Sequence, residues 1–273
     1  MSIGAGREDV VVAILDGPVT LSHPDLSDAH VRDISVDGSA TCQHRGSLAC
    51  RHGTFVAGIL GAKRSSGALG ICPGCTLLVR PIFADPLESA LPHATAEELA
   101  HAIVESLKAG ARLINVSSAL SPMIGREPEL EAALETAARH GAIVIAAAGN
   151  DGTIASSPLT RHPSVIPVAA CDASGRPVPA SNLARSLGTR GIAAPGAMTS
   201  ISPEGPPVML SGTSFAAAVV SGACALLWSA FRGVAAHEIA WAVIGPERRR
   251  SVSPPRLNAW AAYQRLVGVG VSS

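Results

Sequence analysis

Three side chains able to cooperate in acyl transfer lie far apart in this chain: Asp16, His52 and Ser214. A hydroxyl becomes a useful nucleophile when an imidazole takes its proton, and the imidazole is held for that task by a carboxylate on its other nitrogen. Ser214 falls in Ser211-Gly212-Thr213-Ser214-Phe215-Ala216, ahead of a run of small apolar residues that reaches Trp228. That pattern places it at a loop-to-helix junction, where free backbone N–H groups and the positive end of the helix dipole can stabilise an oxyanion. The same stretch also reads as an ordinary buried helix with a Ser/Thr cap, so its partners must decide.

Asp16 closes the apolar, β-branched run Val10 to Leu15 and precedes Gly17-Pro18. Such runs are typical of parallel strands covered on both faces, whose carboxyl ends gather functional residues. As Asp-Gly-Pro it is equally good turn chemistry. His52-Gly53-Thr54 opens a short helix that stops at Gly61, and an N-terminal position there favours the neutral imidazole that a general base must be. The remaining histidines, among them His44, His93, His101, His140, His162 and His237, read as surface or supporting groups.

The elements that must position these residues alternate in type. Thr76 to Phe83, Leu113 to Ser118, Ile143 to Ala148 and Val165 to Ala170 read as further buried strands. Between them lie helices from Leu99 to Ala109, with the capping-box form Thr95-Ala96-Glu97-Glu98 before it, and from Glu129 to His140, each closed by a glycine. Thr20 to Arg51 is polar and irregular, Ala84 to Ala94 is a Pro-containing loop, and Ser174 to Leu210 is rich in Gly and Pro. A last helix spans Leu257 to Leu266. Strand–helix alternation implies an α/β architecture, a mostly parallel central sheet with helices on both faces. Its 273 residues suffice for one large domain, taken as residues 1–273 with a tail at 1–9.

Composition narrows the function classes. Lys plus Arg and Asp plus Glu number 21 each, so no electrostatic footprint for nucleic acid or an anionic membrane is present. The run Glu247-Arg248-Arg249-Arg250 reads as a solvated loop. No uninterrupted apolar stretch is expected to span a membrane, and the N-terminus lacks the regions of a signal peptide, so the expected location is cytoplasmic.

The order Asp, His, Ser is the one found in subtilisin. Three segments resemble signatures of the subtilisin-like serine proteases: Ala13-Ile14-Leu15-Asp16-Gly17 with His23-Pro24-Asp25-Leu26 behind it, His52-Gly53-Thr54-Phe55-Val56-Ala57-Gly58, and Ser211 to Ala216. A fourth, Ala146 to Gly152, is similar to the family's oxyanion-hole segment; Ala193-Ala194-Pro195-Gly196 and Leu257-Asn258-Ala259 also match. The resemblance implies a subtilisin-like three-layer fold and a serine endopeptidase. It implies Ser214 as nucleophile, His52 as general base, Asp16 as its orienting carboxylate and Asn150 as oxyanion donor. It also implies an extended peptide or protein substrate between an edge at Asn115, Ser117, Ser118, Ala119 and Leu120 and a wall at Ala147, Ala148 and Gly149.

Three departures stand out: Ala218 where most members carry proline, Ser118-Ala119-Leu120 in place of a glycine pair, and Phe215 in place of methionine. None removes a reacting group. Leu15 to Val19, Leu78 to Asp85, the helix from Leu99 to Ala109, Ile114 to Ser117 and Ala147 to Gly152 resemble the cyanobactin-type maturation proteases, which implies a ribosomally made precursor peptide as substrate. A macrocyclase of the same family and a non-catalytic peptide-binding homologue are the alternatives. A monomer without cofactor is expected.

Six cysteines leave several readings open. Cys42, Cys50, Cys72 and Cys75 offer a four-thiolate zinc site, a Cys42–Cys50 disulfide or a local one within Cys72 to Cys75; Cys171 and Cys224 read as buried thiols. No acidic loop carries a readable calcium pattern, and the expected metal content is none.

Overall fold

The computed structural model describes residues 4–35, 38–83, 94–117, 120, 125–246 and 251–269. Strand β1 (Val11–Asp16) is followed by one 3-10 turn (Pro24–Leu26), β2 (His30–Asp33), α1 (Leu48–Gly61), β3 (Thr76–Pro81), α2 (Ala96–Lys108) and β4 (Leu113–Val116). Next come α3 (Pro128–Arg139), β5 (Ile143–Ala147), α4 (Pro158–Arg161), β6 (Val165–Cys171), α5 (Arg185–Arg190) and β7 (Ile192–Pro195). The ribbon β8 (Ala197–Ser200) and β9 (Val208–Ser211) leads into α6 (Thr213–Ala230), α7 (Ala236–Ile244) and α8 (Ala259–Gly268). The α/β architecture expected from the alternation is present. Strand β2, helix α7 and the short α4 and α5 lie in stretches that read as irregular or carried no strong period.

Among the described residues, seven strands form a sheet in the order β2-β3-β1-β4-β5-β6-β7, every pair parallel. From β1 the chain runs to the edge at β2, returns to β3 beside β1, and then crosses to β4 on the other side. The crevice beyond the carboxyl ends of β1 and β4 is thus the switch point at which such sheets place their sites.

Side chains alternate along each strand, so the sheet has two apolar faces. Val12 and Ile14 of β1 join the cluster containing Phe55 and Val56 of α1 and Ala216 to Ala218 of α6, whereas Ala13 and Leu15 join that of α2 and α3. Helices α7 and α8 add Ile239, Val243 and Leu266 to the first cluster. By the same parity Asp16 and Asn115 face the α1/α6 layer.

Helix α6 is apolar nearly all round because it is enclosed. By length and composition alone it could cross a membrane, although Ser and Thr interrupt its apolar run, but 78% of it is buried inside the protein. On the opposite layer, α2 is capped as expected by Thr95, which accepts from Glu98 N at 3.0 Å. The reciprocal half of the box does not form, since Glu98 binds Arg80 at 2.7 Å instead.

Candidate active site

The carboxylate of Asp16 is fully buried at the end of β1. Its Oδ1 accepts from Gly17 N at 2.6 Å and lies 2.6 Å from His52 Nδ1, while the buried Oδ2 has no hydrogen-bond partner among the described residues. A carboxylate so placed holds the proton on Nδ1 and leaves the lone pair on Nε2. Two glycines permit this approach. A Cβ on Gly17 would stand 2.1 Å from Ala49 O, and one on Gly53 would stand 2.3 Å from Gly17 O. Backbone thus touches backbone where β1 ends against α1.

His52 lies in the second turn of α1, not at the helix start as the sequence suggested. Ser47 caps the helix, accepting from Cys50 N at 3.0 Å, and draws Leu48 to Arg51 into the first turn. The helix dipole fades within that turn, so another field governs the imidazole. Burial acts to lower its pKa, yet the Asp16 charge and hydrogen bond outweigh it and hold His52 above its ordinary 6.5. The side chain remains 16% exposed.

A disulfide joins Cys42 to Cys50 and ties the loop after β2 to the first turn of α1. Cys72 and Cys75 are free and buried, as are Cys171 and Cys224. With Cys42 and Cys50 bonded to each other, the four-thiolate arrangement is not assembled. Among the described residues, no group of three or more His, Cys, Asp or Glu is arranged to hold a metal.

Ser214 is the second residue of α6, and its backbone N–H, in the first turn, has no intrahelical acceptor. Its Oγ donates to Ser117 O at 2.9 Å. Ser117 itself follows β4 and donates its N–H to Leu15 O at 3.2 Å, so the hydroxyl is anchored one strand away from Asp16. Phe215 packs its ring 5.2 Å from that of His52 and 4.5 Å from that of Phe55, which brings the imidazole beside the α6 N-terminus. Asp16, His52 and Ser214, separated by up to 198 positions in sequence, are therefore brought together at the carboxyl ends of β1 and β4.

Asn150 stands in the exposed loop after β5. Its Oδ1 accepts from Thr213 N at 3.0 Å, and Thr213 Oγ1 accepts from Gly149 N at 3.1 Å. A backbone N–H needs an acceptor, so the amide oxygen is committed to α6 and the NH2 group is left to donate toward the cleft.

Of the residues expected in the peptide-binding edge, Asn115 is placed differently. Asn115 is fully buried in the middle of the sheet, with β1 and β5 paired on either side. Its Nδ2 donates to Ser117 Oγ at 2.8 Å and its Oδ1 accepts from Ser221 Oγ at 2.9 Å, so it fastens α6 to β4 and presents nothing to a ligand. Ser117 is 5% exposed and Leu120 3%. Ser118 and Ala119 lie outside the described residues. Ala147, Ala148 and Gly149 are buried beside Asn150.

A sequence model of the Subtilase family matches residues 7–247. The chain belongs to the subtilase family. It is 30% identical over 229 residues to a thermophilic serine proteinase of Bacillus sp. (strain AK1), covering 82% of this chain but only 53% of that protein. Among solved structures it is similar to the S218A mutant of the protease domain of PatA, with a TM-score of 0.87, 31% identity and 98% of both chains covered. The prenylagaramide maturation protease PagA follows at a TM-score of 0.84 and 31% identity, over 97% of this chain and 96% of that one. The PatG macrocyclase in complex with peptide shares the fold, at a TM-score of 0.79 and 22% identity over 96% and 93% of the chains.

Site residues that sequence reasoning missed are Gly17 and Gly53 as contact points and Asn182, which bonds to the loop around Asn150. The glycines stand in the segments that carry Asp16 and His52, with no contact role legible there, and Ser181-Asn182 lies in the Gly- and Pro-rich stretch Ser174 to Leu210.

Proposed function

We propose that this protein is a serine endopeptidase that cuts an extended peptide through an acyl-enzyme. The observation that carries the reading is the buried Asp16–His52 pair, 2.6 Å apart, facing the α6 N-terminus that bears Ser214. Catalysis begins as the Ser214 hydroxyl turns from Ser117 O to His52 Nε2, consistent with the looser hydrogen bonding of such groups before substrate arrives. Oγ attacks the scissile carbonyl carbon while its proton passes to Nε2. The oxyanion accepts from the Ser214 N–H and from Asn150 Nδ2. The tetrahedral adduct then expels the amine, which takes the proton from His52, and leaves an ester on Ser214. Water, deprotonated by the same imidazole, hydrolyses that ester and restores the enzyme. Asp16 stays ionised throughout and stabilises the imidazolium.

The substrate we infer is a ribosomally made precursor peptide. Similarity to PatA and PagA over nearly the whole of each chain supports this, the latter being a maturation protease by name. Hydrolysis is favoured over ring closure, because joining ends requires the ester to be shielded from water. Between Asp16 and His52 the described residues form one 3-10 turn, strand β2 and the first residues of α1, with no inserted helical pair to cover the leaving-group side.

Labelling of the native protein with a fluorophosphonate probe beside Ser214→Ala tests the nucleophile, and loss of labelling in the variant is expected. Equal labelling of both proteins overturns the assignment. Mass spectrometry of a cleaved precursor-like peptide with a free amino terminus should then show a product carrying the added mass of water; predominant cyclic product overturns hydrolysis.

A further inference from the structure

We propose that Asn182 is the positioning residue for the oxyanion donor, acting on Asn150 through the residues on either side of it; the inference rests on the assignment of Asn150 made above. Asn182 lies between β6 and α5 and is 1% exposed. Its amide is fully engaged. Oδ1 accepts from Asp151 N at 3.0 Å, Thr153 N at 3.1 Å and Thr153 Oγ1 at 3.2 Å, while Nδ2 donates to Ala148 O at 3.2 Å and Asp151 Oδ2 at 3.0 Å. The Asn182 backbone N–H donates to Gly149 O at 2.9 Å. One residue thus grips the chain on both sides of Asn150.

The need for such a grip follows from the loop itself. Residues 148–153 belong to no helix or strand, and Gly149 and Gly152 adopt positive φ values of 101° and 64°, where glycine has most freedom. Thr213 holds the far end of the Asn150 side chain through one hydrogen bond, but that bond fixes the amide only if its own backbone is fixed. Two backbone bonds, Gly152 N to Ala180 O at 2.8 Å and Leu183 N to Thr153 O at 2.9 Å, dock the loop at its distal end. Immediately beside Asn150, the groups at Ala148 O, Asp151 N and Thr153 N depend on the Asn182 amide. Removing a buried side chain that satisfies several groups leaves them unpaired together, and the loop must shift to find other partners. A donor misplaced by about 1 Å costs about 10²-fold in rate.

The test is a double-mutant cycle with parent, Asn150→Ala, Asn182→Ala and the double variant, each measured for kcat and KM and followed by hydrogen exchange of the 148–153 amides. In the parent background Asn182→Ala should lower kcat about 10²-fold with KM unchanged within about threefold, and should speed exchange in the loop. In the Asn150→Ala background the same substitution should cost less than about threefold, because the group it positions is gone. Full multiplication of the two losses, or an Asn182→Ala kcat equal to the parent's, overturns the inference while leaving Asn150 as donor. Parent-like kcat in Asn150→Ala removes the underlying assignment and the inference with it. Should Asn182→Ala not fold, Asn182→Asp completes the cycle, since it keeps the acceptor for Asp151 and Thr153 but has no N–H for Ala148 O.

Discussion

The two flanks of the cleft are built by opposite means. On one flank Asp16 and His52 are carried by the end of a central strand and the second turn of a 14-residue helix, joined by direct backbone contact at Gly17 and Gly53. On the other, Asn150 sits in an exposed loop whose shape is set by side-chain hydrogen bonds from Thr213 and Asn182. The lesson is that the acid–base half needs low dielectric and regular backbone, because its task is to hold a charged pair together. The oxyanion half must stay open to the substrate, so its accuracy comes from polar contacts behind it. Breaking the two flanks should therefore produce different kinetic signatures.

The largest effects should come from the groups that meet between the flanks. Ser214→Ala and His52→Ala are each expected to lower kcat by about 10⁶ on a peptide substrate, and the double variant should be no worse than either, since nucleophile and base act as a unit. Steady-state kinetics on purified variants check this; additive losses would show that the two side chains work independently.

Within the buried flank, Asp16→Asn should reduce kcat by about 10⁴ by favouring the wrong imidazole tautomer. It also sharpens the electrostatic side of the comparison. His52 must be neutral to act, and its pKa lies above 6.5, so activity of the parent should fall as pH drops through a value higher than that of an ordinary histidine. Without the Asp16 charge the lowering effect of burial is left unopposed, and the acid limb of kcat/KM should move to lower pH. A limb that stays in place would assign the titration to a different group.

On the open flank, Asn150→Ala should cost about 10² to 10³ in kcat with little change in substrate affinity, because its amide meets charge that exists only in the transition state. Pre-steady-state measurement of the dissociation constant separates the two; a large rise with unchanged turnover would make Asn150 a ground-state contact.

The smallest change is in the scaffold of the buried flank. Gly53→Ala sets a methyl against Gly17 O and should destabilise the fold by about 1 to 3 kcal/mol, read as a lowered midpoint in denaturant. The surviving folded fraction should show weakened His52 function and an intact Asn150 contribution. An unchanged midpoint would mean that the β1–α1 contact is not tight.

Local pattern alone determined much of this protein. The strand-ending Asp16, the loop-to-helix junction at Ser214 and the all-round apolar α6 are written in short runs and periods, since burial on both faces of a sheet demands them. The order of Asp, His and Ser, with the segments around them, points to the family independently of any contact. What only the tertiary structure decided depends on distant partners. The Ser47 cap moved His52 inward. Pairing of β4 between β1 and β5 made Asn115 an internal fastening, and the fold joined Cys42 to Cys50 while Cys72 and Cys75 stayed free thiols. Asn182, 32 residues after Asn150, carries no motif at all. A hydrogen bond between loops leaves no period in a sequence, because only the folded chain brings its two ends together.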